Sequence, residues 1–135
     1  MKRSLLIASF AGLLGLASTG CGIGTDAKHQ EPLASMRVVG NRVVGQDLRV
    51  ELDYRQTYPV DVDVECDLTQ NGNVVQTIGT NVVRGSPEAR PDATPIAGSF
   101  NFPFQVQSAG DYLVVCFTPA DVENKLKSSL SVAAR

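Results

Sequence analysis

Residues 60–68 read VDVDVECDL, and this stretch decides the fold. Every second residue is apolar, and every residue between them is an aspartate or a glutamate. Side chains alternate between the two faces of a β-strand, so this period of two predicts a strand with one buried face and one solvated face. Cys66 has the parity of the apolar positions, and we expect its side chain to point inward.

Three further stretches have the same extended character. Residues 47–55 (DLRVELDYR) alternate in the same way, and residues 99–106 (SFNFPFQV) place three phenylalanines on the inner face. Pro103 cannot donate to a β-ladder, so this strand should be an edge strand or carry a bulge. Residues 112–117 (YLVVCF) are apolar throughout, which indicates a strand buried on both faces or covered on one of them.

Turn signals separate these strands from weaker ones. Asn71 and Gly72 are typical of a β-hairpin that brings a strand at residues 74–83 back against residues 60–68. Residues 84–98 hold three prolines and two glycines and predict an exposed loop. The chain is therefore predicted to be all-β, an antiparallel two-sheet sandwich of about seven strands. The remaining predicted elements are a first strand at residues 36–39 with 43–44, a single helical turn at 118–121 and a last strand at 126–133.

The first twenty-one residues have a different character. Lys2 and Arg3 precede an apolar run of twelve residues, which is too short for a membrane-spanning helix of about 20 residues and typical of a secretory signal peptide. Residues 17–21 (ASTGC) resemble the lipobox of bacterial lipoproteins. The resemblance implies that signal peptidase II removes residues 1–20 and that Cys21 carries the lipid. The alternative is a plain secreted protein in which Cys21 is a spare thiol.

The lipobox resemblance also implies a location and an organisation of the chain. It implies a protein held on the exported side of the bacterial cell envelope. Because Gly22 is not an aspartate, the family's sorting habit implies the outer membrane if there are two. Residues 21–35 are polar without an apolar period and predict a flexible tether, followed by a domain at residues 36–135. His29 falls in the tether, where a lone histidine is more often solvated than bound to a metal.

The charge balance argues against one class of partner. The chain holds 12 basic and 14 acidic side chains, with a formal net charge of -2. Loss of Lys2 and Arg3 with the leader makes the mature protein more acidic still. Nucleic acids and anionic membrane faces recruit clustered lysine and arginine, and the sequence has no such cluster. We therefore predict no nucleic-acid partner, and a membrane contact made through the lipid on Cys21.

A second resemblance concerns the domain itself. Residues 110–116 (GDYLVVC) resemble the penultimate strand of an immunoglobulin-like or fibronectin type III-like domain, although Tyr112 lies four residues before Cys116 rather than two and the chain has no tryptophan. In such a sandwich the third and sixth strands are neighbours, which implies a Cys66–Cys116 disulfide within one sheet. Acylation of Cys21 would leave these two cysteines to pair. Two buried free thiols are the alternative.

Two groups of side chains are candidate binding features. Asp61, Asp63, Glu65 and Asp67 form an acidic row on one face, in which Asp61 and Asp63 are weak calcium candidates. Carboxylates in a straight row about 7 Å apart do not converge on one ion, so a solvated outer face is favoured over a calcium site. A docking surface for a basic partner is the alternative. We predict no metal and no cofactor. Leu113, Val115 and Phe117 form an apolar row on the outer face of the sixth strand, which either docks a partner or is covered by the tether or the 84–98 loop.

Catalytic machinery is hard to assemble from this sequence. It has a single histidine and neither a Ser-His-Asp nor a Cys-His arrangement, and no glycine-rich phosphate loop between a strand and a helix. We therefore predict a lipid-anchored, non-catalytic cell-envelope protein that acts as a binding or accessory module in an envelope assembly. The alternative is a lipoprotein that binds a ligand or calcium.

Overall fold

The computed structural model describes residues 32–56, 59–87 and 94–135. Within these ranges the chain forms seven β-strands and no helix, and therefore no helix long and apolar enough to span a membrane. The predicted leader, Cys21, His29 and most of the predicted tether lie outside the described residues. The strands are β1 (Leu33–Gly40), β2 (Leu48–Gln56), β3 (Val62–Gln70), β4 (Asn73–Val83), β5 (Ile96–Phe104), β6 (Gly110–Thr118) and β7 (Asp121–Val132).

The strands form two antiparallel sheets, ordered β1-β2-β5 and β4-β3-β6-β7. The predicted all-β, two-sheet sandwich is therefore confirmed. β4 pairs with β3 because Asn71 and Gly72, with φ of 53° and 82°, form the tight turn that this hairpin needs. In a constant-type immunoglobulin domain the fourth strand joins the sheet of the first, second and fifth strands, so this chain departs from that arrangement.

The core lies between the sheets and consists largely of residues that the alternation places inward. Each buried valine or leucine side chain contributes roughly 1.5–3 kcal/mol, which makes this layer the main source of stability. The inward faces predicted for β2, β3 and β5 are confirmed. The buried apolar residues are Leu33, Val38, Leu48, Val50, Leu52, Val62, Val64, Cys66, Leu68, Val83, Phe102, Phe104, Val106, Val114, Cys116, Leu130 and Val132.

The first strand begins earlier than the sequence pattern predicts. β1 starts at Leu33 rather than at residue 36, because the Leu33 side chain is buried and the backbone before it is held by the Arg55 amide, which donates to the Pro32 carbonyl. Residues 33–35 therefore belong to the sheet and not to a tether. Val43 forms an isolated bridge with Ala133 instead of extending the first strand.

The fifth strand also begins earlier, inside the predicted 84–98 loop. β5 starts at Ile96 because its first residues pair with the end of β2, where Gly98 lies opposite Tyr54 and leaves room for the tyrosine ring. Of the predicted loop, residues 88–93 lie outside the described residues. β5 is an edge strand, as Pro103 predicts.

The predicted helical turn at residues 118–121 is wrong. Pro119 and Ala120 form a two-residue turn between β6 and β7, with Thr118 paired to Asp121. The Thr118 hydroxyl donates to the Asp121 carbonyl at 2.9 Å. Because this turn places the chain directly against β6, β7 starts at Asp121 and not at residue 126.

Candidate functional site

Cys66 and Cys116 form a disulfide bond within the four-stranded sheet. The two cysteines lie directly opposite each other on β3 and β6, with their Cα atoms 4.0 Å apart, and both side chains are fully buried. The predicted pairing between adjacent strands of one sheet is confirmed. The next pair along these strands, Asp67 and Val115, faces the opposite side of the sheet, so the bond fixes the register of the outer face.

Tyr112 holds the start of β6 in place. Its hydroxyl donates to the Ser108 carbonyl at 2.7 Å. This bond from a tyrosine to the backbone a few residues upstream resembles the tyrosine corner of immunoglobulin-like sandwiches, although that tyrosine lies two residues before the cysteine and Tyr112 lies four before it. The bond fixes the connection between β5 and β6 beside the sheet that carries the candidate site.

The outer groove lies on the solvent face of the four-stranded sheet. It has a volume of about 260 Å³, and its lining combines apolar side chains with a carboxylate and an ammonium group. Val74 near the start of β4 and Val122 near the start of β7 are its most exposed apolar walls, at 58% and 59% exposure. The outer groove is lined by Asp67, Thr69, Val74, Val115, Phe117, Val122 and Lys125.

Only part of the apolar row predicted on β6 lines the outer groove. Val115 and Phe117 are half-buried and line it, whereas Leu113, also half-buried, lies outside the lining, opposite Thr69. Val74 and Val122 complete the walls, and the sequence analysis did not single them out. The one sequence feature that could have indicated them is that each valine comes just after a turn. The strand that follows the turn pairs within the four-stranded sheet and places the valine on the same face of that sheet as Val115 and Phe117.

The acidic row of β3 is not a uniform solvated face. Asp61 and Asp63 are exposed, but Asp67 is only 5% exposed, so the predicted solvated face is wrong at Asp67. The register between β3 and β4 shifts after Cys66, and β6 places Val115 directly opposite the aspartate, so neighbouring side chains cover it. The Asp67 Oδ1 atom is buried and has no hydrogen-bond partner among the described residues.

The electrostatic setting of Asp67 follows from this burial. Loss of contact with water, the largest cause, raises the pKa of the Asp67 carboxyl to about 6, and the hydrogen bond and negative charge of Glu65 act in the same direction. A hydrogen bond with Thr77 opposes the rise. At neutral pH the outer groove therefore holds an ionised carboxylate in an apolar setting.

The two weak calcium candidates, Asp61 and Asp63, lie in different surroundings. Asp61 accepts hydrogen bonds from the Gly85 amide at 2.7 Å and from the Arg84 guanidinium at 3.1 Å, and these lower the pKa of its carboxyl. Asp63 and Glu65 line a different surface groove of about 310 Å³. In the described part of the chain, no group of three histidine, cysteine, aspartate or glutamate side chains is placed to hold a metal ion.

Comparison with known proteins supports the β-sandwich fold and gives no information on the candidate site. No protein-family model matches the chain, and no curated protein matches it. Among solved structures, the chain is similar to the beta-D-glucoside glucohydrolase from Trichoderma reesei, with a TM-score of 0.50 and 14% sequence identity. The match covers 75% of this chain and 18% of the glucohydrolase. A likeness at this identity shows a shared β-sandwich fold and transfers no catalytic residue.

Proposed function

We propose that this chain is a lipid-anchored, non-catalytic protein of the bacterial cell envelope that docks a partner protein in the outer groove. The observation that carries the proposal is the groove itself. Val74 and Val122 are more than half exposed, and they adjoin the half-buried side chains of Val115 and Phe117. Contiguous apolar surface rimmed by polar groups is a mark of protein interaction sites.

The anchoring part of the proposal is supported by the sequence. Residues 17–21 resemble a lipobox, and two or three acyl chains on Cys21 would give stable membrane attachment. The Cys66–Cys116 bond agrees with an exported protein, because disulfides persist in oxidising compartments.

Metabolic labelling tests the anchor. Cells that express the chain are fed radiolabelled palmitate, and the wild type is compared with Cys21→Ser. We expect label and membrane association in the wild type, and loss of both in Cys21→Ser. An unlabelled wild-type protein in the soluble exported fraction would show an ordinary secreted protein instead.

Site-specific photo-cross-linking tests the docking surface. A photoreactive amino acid replaces Val122 in the outer groove, or Asn101 on the exposed face of β5 as the matched control. We expect an adduct of one defined mass from position 122 that is absent from position 101. Adding Val74→Lys should abolish it, because a positive charge on this exposed apolar wall opposes docking without disturbing the core. An adduct that survives Val74→Lys, or that forms equally at position 101, contradicts the proposal.

A further inference from the structure

Asp67 lines the outer groove, yet one of its oxygens is left without a partner. The side chain is only 5% exposed, and Oδ1 is buried with no hydrogen bond among the described residues. Folded proteins rarely leave a buried acceptor unpaired, because the hydrogen bond lost to water is not replaced. The free oxygen therefore indicates a donor that a binding partner brings into the outer groove.

The charges around Asp67 favour a cationic donor. Glu65 is its neighbour on the same face of β3, β4 carries no ionisable residue, and the residue opposite on β6 is Val115. Lys125 lines the same groove, but it stands on β7, whose backbone lies about 10 Å from that of β3 at the usual strand spacing, and no ion pair joins it to Asp67 within the described residues. The ion pairs formed within the described residues involve arginines and leave Asp67 without a countercharge.

The shape and the remaining walls of the groove favour a lysine side chain. A volume of about 260 Å³ lies below the roughly 300–1,000 Å³ typical of small-molecule pockets and suits one long side chain. A lysine packs its aliphatic stem on apolar walls and presents a compact charge that one free oxygen satisfies. An arginine would use both carboxylate oxygens, but Thr77 already donates a hydrogen bond to the Asp67 carboxylate, so only Oδ1 is left without a donor.

We propose that the outer groove binds a lysine side chain of the partner protein, with the ammonium group on the Asp67 carboxylate and the aliphatic stem against Val115 and Phe117. Because Oδ1 is covered in the unbound chain, docking includes a rotation of the Asp67 side chain that turns this oxygen toward the groove. Phe117 lines the same groove, and a cation above the face of an aromatic ring is attracted to it. The inference rests on the proposed docking function and specifies what the partner must present.

Binding of small probes to the isotopically labelled full chain carrying Cys21→Ser tests this inference by NMR. The probes are pentylammonium, which mimics the lysine side chain, 1-pentanol, which lacks the charge, and propylguanidinium, which mimics arginine. We expect pentylammonium to shift the amide signals of Val115 and Phe117 and to bind about tenfold more tightly than either other probe. Asp67→Asn should remove this preference, and Asp63→Asn on the exposed part of the same strand should retain it.

Equal affinity for pentylammonium and 1-pentanol, or a preference that persists in Asp67→Asn, overturns the lysine inference. The probe experiment needs neither partner nor lipid, so its outcome is separate from that of the cross-linking. If cross-linking at position 122 succeeds while the ammonium preference is absent, the docking function stands and the lysine inference falls. If the ammonium preference is present without a cross-linked partner, the docking function falls and the chemistry of the groove stands.

Discussion

Asp67 carries a carboxyl group that the fold holds away from water, and its protonation therefore affects stability. Its pKa is raised from 3.8 to about 6 in the folded chain. Between these values the folded state binds more protons than the unfolded state, so this group lowers the free energy of unfolding as the pH rises from about 4 to about 6. We expect Asp67→Asn to remove that loss and to stabilise the protein at pH 7.5 by up to about 3 kcal/mol.

Urea denaturation between pH 4 and pH 8 measures this effect. At lower pH, Glu51 and Asp61 affect the free energy of unfolding in the opposite direction to Asp67. The Arg49 hydrogen bond to Glu51 and the Gly85 hydrogen bond to Asp61 lower the pKa of each carboxyl. Stability from these two groups is lost only as the pH falls through their lowered pKa values. Asp63→Asn is the control. A wild-type curve that rises steadily from pH 4 to pH 6 and matches that of Asp67→Asn contradicts the assignment.

The disulfide is the second residue-scale feature with a measurable contribution. Its partners are 50 residues apart, and closing a loop of that size stabilises a protein by roughly 4 kcal/mol in the chain-entropy model. We expect the Cys66→Ala/Cys116→Ala double variant to lose at least that much free energy of unfolding, measured by urea denaturation. Wild-type protein with its thiols reduced and alkylated should unfold at a similarly low urea concentration. A loss below about 1 kcal/mol would show that the bond adds little.

At the scale of elements, β4 is an edge strand that needs protection. It runs for 11 residues without a charge or a proline, a composition that exposes an edge to pairing with other strands. Two register shifts against β3 interrupt the first part of this edge. Further along, the Val82 amide donates to the side-chain oxygen of Asn81 at 2.8 Å, which occupies a group that would otherwise be free for strand pairing.

Removal of this cap should promote self-association. Asn81→Val frees the Val82 amide and adds apolar surface, and we expect an increase of about tenfold in the self-association constant, equivalent to ~1.4 kcal/mol. Size-exclusion chromatography with light scattering over a range of concentrations measures it. Asn101→Val, which adds the same side chain to the edge strand that holds Pro103, is the control. Equal association of both variants would show that apolar area, and not the free amide, is responsible.

The predictability of these elements from sequence depended on whether their signal is local. The alternation in residues 60–68 is enough by itself to predict which side chains point inward, so β3 and the inward direction of Cys66 were predicted correctly. The start of β5 at Ile96 is determined by pairing with β2, and the turn after Thr118 by the register of β7 on β6, which no local pattern encodes. Two of the three residues predicted for the partner surface, Val115 and Phe117, line the outer groove.

The rest of the site depends on contacts between strands far apart in the chain. Asp67 has the same sequence signature as Asp61 and Asp63, and only its β4 and β6 neighbours distinguish it as a buried group. Val74 joins the outer groove because the hairpin returns β4 beside β3. The leader and Cys21 lie outside the described residues, so acylation remains a prediction.

At the scale of the whole molecule, the two sheets approach closely at Gly79. A Cβ atom there would overlap the ring of Phe102 from the other sheet. Gly79→Ala should therefore push the ring out of its place in the core and destabilise the protein by about 1–3 kcal/mol, measured by urea denaturation. The cost should fall when Phe102→Leu is combined with Gly79→Ala, because the smaller side chain leaves room. Strict additivity in this double-mutant cycle would show that the contact does not limit the approach of the sheets.

The disulfide also determines how the molecule carries mechanical load. If the chain is pulled between its N-terminal and C-terminal ends, tension acts on β1 and β2 first and then passes through the covalent bond from Cys66 to Cys116. Residues 33–66 can extend to roughly 110 Å, whereas the residues between the two cysteines stay slack. Asp67, Val74 and Val115 lie in that slack segment. A pull on the two ends of the chain therefore lengthens the molecule while these groove residues bear no tension.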